Sequence, residues 1–298
     1  MMLAGRRCLI TGASRGLGAV IARTFWEAGA SVALVARSRA ALDALIATFP
    51  WRARQEAVAL VADLSDPAAS EWIVDAARQA FPSLDVLVNN AGIQGPIGAL
   101  WENDEAAWRQ TIQVNLLAPV ALCRRCVPWM ARAGTASVRG KIIHLSGGGG
   151  TGPRPYFSAY ATAKAALVRF SETLALEVQD RGVDVNAVAP GAMGTAMMDA
   201  IMMAGALCAG QKEYDTARRT RGLAGETSGD EVLERAAALC RFLASADSDG
   251  LTGKLISAVW DPWETFSERL EALQKTDVYT LRRIVPKDRG MNWGDLGK

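Results

Sequence analysis

Arg7-Cys8-Leu9-Ile10-Thr11-Gly12-Ala13-Ser14-Arg15-Gly16-Leu17-Gly18 stands almost at the start of the chain, and its reading decides the architecture. Residues 7–10 read as a strand. The three glycines let the backbone turn tightly and approach a pyrophosphate. From Gly16 on, Leu17, Val20, Ile21, Thr24 and Phe25 share one side of a helix. The N-terminus of that helix offers unpaired N–H groups and the positive end of a dipole to an anion. Ala28-Gly29 ends it, glycine supplying the left-handed turn. A Gly-rich turn is a weak signal alone, but strand-before and helix-after is the context it requires.

Working outward, apolar runs recur at 31–36, 57–61, 86–88, 141–145, 183–188 and 254–259, nearly continuous as in a parallel sheet covered on both faces. Helical patterns fill 40–49, 67–80, 105–133, 158–180 and 230–243 between them. Such alternation predicts an α/β fold, a Rossmann-type doubly wound seven-stranded parallel sheet flanked by helices, with a C-terminal helical extension. One domain is expected over 1–260, with 261–298 as the extension. Half of the residues are hydrophobic, so a large core is affordable, and the formal net charge of +2 lacks the cationic surplus of a nucleic-acid binder. No apolar run reaches membrane-spanning length, and 1–5 does not read as a signal peptide. Five cysteines, an odd number, point to a reducing compartment. We therefore expect a cytoplasmic protein acting on a small molecule, with no nucleic acid and no membrane.

The Gly-x3-Gly-x-Gly spacing resembles that of the short-chain dehydrogenase/reductase (SDR) family. The resemblance extends in order over about residues 5–260. It implies a dinucleotide held by Gly12, Ser14, Arg15, Gly16, Leu17 and Gly18. It also implies an adenine contact at Asp63-Leu64, a coenzyme-lining segment Asn89-Asn90-Ala91-Gly92, and a nicotinamide-side segment with Pro190, Gly191, Met193 and Thr195. At the end of the second strand a NAD site places a carboxylate on the ribose 2′-hydroxyl. This chain has Ala36 there, then Arg37 and Arg39. A guanidinium forks onto a 2′-phosphate that a carboxylate would repel, and Arg15 is within reach. The coenzyme expected is NADP(H).

Tyr160-Ala161-Thr162-Ala163-Lys164 places a phenol and an ammonium one helical turn apart. A phenol titrating near pH 10 needs a cation to donate its proton at neutrality, because burial alone pushes it the other way. Lys164 and the positively charged nicotinamide ring of NADP⁺ are the candidate cations. The resemblance makes Tyr160 the general acid/base, has Lys164 hold the nicotinamide ribose, and gives Asn115 a water-linked proton route to that Lys. The family also places a carbonyl-orienting Ser at what is Gly147 here, with Ser146 one residue earlier. Either the loop Gly147-Gly148-Gly149-Gly150 delivers Ser146 to the site, which is the reading taken, or the role is vacant. With it vacant the chain would be a catalytically impaired NADP(H)-binding regulatory or scaffold protein. A nucleotide-sugar epimerase or dehydratase fits less well, since those relatives differ in glycine spacing.

Two signals are set aside. Cys123-Arg124-Arg125-Cys126 lies within a helix and His144 within a strand, so we read no metal site. Residues 191–229 read as a lid carrying Met193, Met197, Met198, Met202 and Met203, five of the nine methionines. Adaptable side chains there suit a carbonyl or alcohol substrate with an apolar portion, or equally the buried face of a lid helix. In the extension, Asp261 reads as a cap, Pro262 as the first helical residue, and Trp263, Phe266, Leu270 and Leu273 as one stripe, covered by the chain itself or by a partner. Residues 286–298 read as loosely ordered. Relatives commonly pair through long helices and last strands, so a homodimer or homotetramer is expected, with the second contact in doubt beside such a tail.

Overall fold

A computed structural model describes residues 1–130, 139–222 and 229–294 of the chain. Among them, seven strands form one sheet: β1 (Arg7–Thr11), β2 (Ser31–Ala36), β3 (Ala57–Val61), β4 (Val86–Asn89), β5 (Gly140–Leu145), β6 (Val183–Ala189) and β7 (Leu255–Ser257). All neighbours run parallel, in the order β3-β2-β1-β4-β5-β6-β7. The helices are α1 (Gly16–Glu27), α2 (Arg39–Ala47), α3 (Ala69–Ala80), α4 (Glu105–Ile112), α5 (Ala118–Met130), α6 (Ser158–Glu177), α7 (Ala196–Ala209), α8 (Gln211–Thr220), α9 (Gly229–Ala244) and α10 (Leu270–Lys275). The doubly wound sheet read from the alternation is the observed one. The ends of the expected helix at 131–133, of the lid at 223–228 and of the tail at 295–298 lie outside the described residues.

Strand alternation divides the core in two. Cys8 and Ile10 of β1, with Val32 and Leu34 of β2, face the layer formed by α1, α9 and Leu42 of α2. Leu9, Ala33 and Val35 face the opposite layer with α3, α5 and the end of α6. Each strand is apolar on both sides because both sides are covered. The chain winds outward from β1 to β3, then returns to begin the other half at β4. The crevice between the carboxyl ends of β1 and β4 is where an open α/β sheet takes a ligand.

The extension is covered by the chain itself. Trp263, Phe266 and Leu273 are buried in the same layer as α1 and α9, and Leu270 packs against it. Its first segment, Trp263–Arg269, is a 3₁₀ helix rather than an α-helix. Asp261 does not cap it: Pro262 precedes the first turn, and Asp261 Oδ2 accepts from the Ser257 N–H at 2.6 Å. Further on, the Leu255 N–H donates to the Tyr279 carbonyl (2.8 Å), while Lys254 Nζ donates to the carbonyls of Thr276 (2.8 Å) and Val278 (3.0 Å). The tail therefore lies along the exposed edge of β7. β7 is shorter than the apolar run 254–259 because the chain turns after Ser257, whose Oγ accepts from the Trp260 N–H at 3.1 Å. No helix among the described residues is long and apolar enough to cross a membrane.

Candidate active site

At the switch point the glycine turn is pinned from the β4 side. Thr11 Oγ1 accepts from the N–H groups of Asn90 and Ala91, both at 3.1 Å, and Asn90 Nδ2 donates to the carbonyls of Thr11 (3.0 Å) and Gly12 (3.1 Å). Nothing larger than hydrogen fits. A Cβ on Gly12, which has φ of +66°, would lie 2.8 Å from Ala91 Cα, and one on Gly18 would collide with the Gly12 carbonyl. Arg15 enters α1 in an extended conformation and gives its N-terminus no side-chain cap, so the first N–H groups stay free for an anion.

From this turn a cleft of about 880 Å³ runs along the strand ends. Ser14, Arg15, Gly16, Leu17 and Gly18 line it with Ala36, Arg37, Asp63 and Leu64. Asn90, Ala91, Gly92, Tyr160, Lys164, Pro190, Gly191 and Met193 line it as well, and Thr195 lies against the turn itself, its Cγ2 3.4 Å from where a Cβ on Gly16 would stand. The glycine cradle and open helix terminus fit a dinucleotide pyrophosphate. Asp63 stays charged below its ordinary range, chiefly because the Ser65 N–H donates to its carboxylate at 2.9 Å, with Arg37 adding to the effect. Arg39, by contrast, is turned into an exposed pair with Asp43 at 2.8 Å.

Asn89 does not reach the cleft. As the last residue of β4 it points opposite to Asn90, into the core, where Nδ2 lies 3.2 Å from His144 Nδ1 and 3.7 Å from Cys123 Sγ. Burial drives His144 down to about 3, so it is neutral, and raises the thiol of Cys126 to about 12. These groups pack; they do not titrate near neutrality. Asn115 lies in a π-helical turn, Gln113–Leu117, between α4 and α5, a local break in the helix that the residue periodicity does not announce. Its amide accepts from the Ile93 N–H (2.9 Å) and donates to the Ile93 carbonyl (2.8 Å). It thereby fixes the Asn90–Gly92 segment: a Cβ on Gly92 would meet Asn115 Oδ1 at 3.0 Å and Lys164 Nζ at 3.6 Å.

Helix α6 carries Tyr160 and Lys164 inward at i and i+4, both about 95% buried. Lys164 Nζ donates to the Leu145 carbonyl at 2.7 Å, and burial lowers it to about 8. Tyr160 is held above its ordinary range by burial; the cation that offsets this is Arg154, not Lys164. Arg154, Glu213, Thr216 and Trp260 also line the cleft and carried no periodic or motif signal in the sequence. Ser146 lines it too, yet its Oγ is buried with no hydrogen-bond partner among the described residues, and a Cβ on Gly150 would sit 2.6 Å from it. Position 147 is the one that faces the phenol, since a Cβ there would be 2.5 Å from Tyr160 Oη. The structure thus does not join Ser146 to Tyr160.

Over the cleft, α7 and α8 pack on Phe157 and Tyr160 through Ile201, Ala209 and Ala217, with Met197, Met198 and Met202 partly buried beside them. Met193, Met197 and Met198 also face the cleft, whereas Met203 is 88% exposed. The methionines therefore serve both as lid packing and as cleft wall.

The family model for short chain dehydrogenase matches residues 6–204. The chain belongs to the short-chain dehydrogenase/reductase family. SDR members are oxidoreductases acting on small molecules. A curated relative, 3beta-hydroxysteroid dehydrogenase 1 of Eggerthella lenta, is 39% identical over 197 residues, 65% of this chain and 72% of that protein. Among solved structures, the RhlG/NADP active-site complex of Pseudomonas aeruginosa aligns with a TM-score of 0.70 and 28% identity, covering 86% of this chain and 95% of that one. The 3-ketoacyl-(acyl-carrier-protein) reductase of Brucella melitensis, complexed with NADH, aligns with a TM-score of 0.71 and 25% identity over 86% and 97%. A nicotinamide coenzyme therefore belongs in this SDR cleft.

The buried Lys164 ammonium has a consequence for stability. Its protonated form is disfavoured in the folded state, so between pH of about 8 and its unfolded value the unfolded chain binds the extra proton and stability rises with pH. Replacing Lys164 with Met is expected to raise Tm at neutral pH by about 2–4 °C. The gain over wild type should shrink as the pH passes 8 toward 10. Calorimetry of both proteins across that range checks it, and a gap that widens with pH contradicts it.

Proposed function

We propose that this chain is an NADP(H)-dependent oxidoreductase that interconverts a carbonyl and a secondary alcohol, with Tyr160 as general acid/base. The observation that carries the proposal is one cleft holding both the glycine cradle and the buried Tyr160–Lys164 pair. When bound, the coenzyme supplies the hydride. In reduction Tyr160 Oη gives its proton to the carbonyl oxygen, and in oxidation it takes the proton back from the hydroxyl. Lys164, anchored on Leu145, is placed to hold ribose hydroxyls at the rim of the phenol. Asn115 acts through Ile93 to keep the Asn90–Gly92 wall in place. Gly12, Ser14, Gly16, Leu17, Gly18, Asn90, Ala91, Gly92, Pro190, Gly191, Met193 and Thr195 form the coenzyme walls, with Asp63 and Leu64 beside the adenine.

NADP(H) over NAD(H) is supported by Ala36 and Arg37 at the end of β2, which leave no carboxylate at the 2′-position. Arg15 and Arg37 both line the cleft and could reach a 2′-phosphate there. Arg37→Asp is expected to lower kcat/KM for NADPH about tenfold to a hundredfold relative to NADH, the scale of losing a charge-assisted fork and adding a repulsion. Steady-state kinetics with both coenzymes on a panel of apolar ketones measures it; an unchanged ratio overturns the coenzyme assignment. The regulatory or scaffold alternative draws only on Gly147, and the Tyr160–Lys164 pair in a built cleft weighs against it. We also propose one folded domain with its lid near 191–229 and an extension from 261. With the β7 edge taken by residues 276–281, a homodimer is the assembly favoured, and light scattering that shows a tetramer would refute this.

A further inference from the structure

Position 147 carries no side chain, so something else must complement Tyr160. Arg154 is the cation facing it from outside α6. Its guanidinium carbon lies 4.0 Å from the centre of the Phe157 ring and 5.4 Å from that of Tyr160. The side chain is about nine-tenths buried; Nη2 meets Glu213 Oε2 at 2.8 Å, and Nε is buried without a partner. Gly148 lies beside the side chain, where even an added Cβ would stand in ordinary van der Waals contact with Arg154 Cδ, at 3.5 Å. Glu213 sits on α8, in the lid. Among the described residues, Lys164 on α6 also faces the phenol, 5.6 Å from the ring centre, and His144 on β5, which feels Lys164, is neutral through burial.

We propose that Arg154 is a positioning residue that sets when Tyr160 holds its proton, and that Glu213 on the lid tempers it by pairing with the guanidinium. This rests on Tyr160 being the acid/base. A guanidinium over the ring stabilises the phenolate, and a carboxylate on that guanidinium withdraws part of the effect. Burial of Tyr160 pushes its ionisation upward, and Arg154 acts against that direction. Seating of α8 would then couple lid position to the strength of the acid.

Tyrosinate difference absorbance, read against pH, tests this on the full chain. Each protein is compared with the same protein carrying Tyr160→Phe, so that only Tyr160 is counted. Arg154→Met should move the Tyr160 midpoint up by about one pH unit. Arg154→Lys should move it up less, and Glu213→Gln should move it down. A midpoint unmoved in Arg154→Met, or raised in Glu213→Gln, overturns the proposal. If Arg154→Met does not fold, the opposite shifts of Arg154→Lys and Glu213→Gln decide alone. Failure of the acid/base reading looks different: the Tyr160→Phe protein would then turn over substrate at the wild-type rate.

Discussion

Tyr160→Phe should lower turnover in both directions by about 10²- to 10⁴-fold, the range that a well-placed proton donor supplies. The ring stays packed, because its contacts with Phe157, Ile201, Ala209 and Ala217 are apolar and do not need the hydroxyl. Tm should therefore hold near the wild-type value, and coenzyme affinity, measured by fluorescence titration with NADPH, should hold with it. The change then falls on kcat rather than on binding, the signature of an interaction made only in the transition state. The pH dependence has a definite sign. Burial keeps Tyr160 protonated above its ordinary range, so carbonyl reduction is favoured at neutral and lower pH. Alcohol oxidation needs the phenolate and should climb as pH rises. Wild-type turnover in the Phe variant would remove Tyr160 from the reaction.

The sheet and the coenzyme end were legible because both follow short-range rules. Residues 31–36 and 57–61 are the strands β2 and β3 residue for residue, since an apolar run between turn residues has one way to lie in a doubly covered sheet. The glycine turn was legible because its strand-and-helix setting is adjacent in sequence. Two assignments of site residues come out differently from one another: Asn89 leaves the cleft, while Ser146 lines it with its Oγ unpartnered among the described residues. Asn89 ends β4 and points opposite to Asn90, as successive strand residues do, whereas Ser146 and Gly147 lie just past the end of β5. Asn90 and Gly147 look into the cleft; Asn89 looks into the core, and the Ser146 hydroxyl is buried without a partner. Arg154 was invisible for another reason. It sits in a loop without period, and its place over the Tyr160 ring depends on an ion pair with Glu213, 59 residues away. Tertiary pairing of that kind leaves no local trace.

Gly147→Ser should lower activity, although it installs the residue that SDR relatives carry. A Cβ at 147 would stand 2.5 Å from Tyr160 Oη, a separation that real side chains do not show, so the phenol would have to move. The ring is packed under α7 and α8 while the hydroxyl borders the cleft, so the shift would fall on the reacting group itself. A displacement near 1 Å at a reacting group costs about 10²-fold in rate. Gly147→Ala adds the same Cβ without a hydroxyl and should fall by a similar factor; the two variants together separate crowding from hydrogen bonding. If Ser at 147 raised turnover while Ala lowered it, the hydroxyl would be the missing part and the site would be an impaired version of its relatives. Equal losses would mean that this chain has closed the phenol against a bare backbone, and that its carbonyl must be oriented from elsewhere in the cleft. The kcat values of the two variants, with the tyrosinate titration of each, settle which arrangement the chain uses.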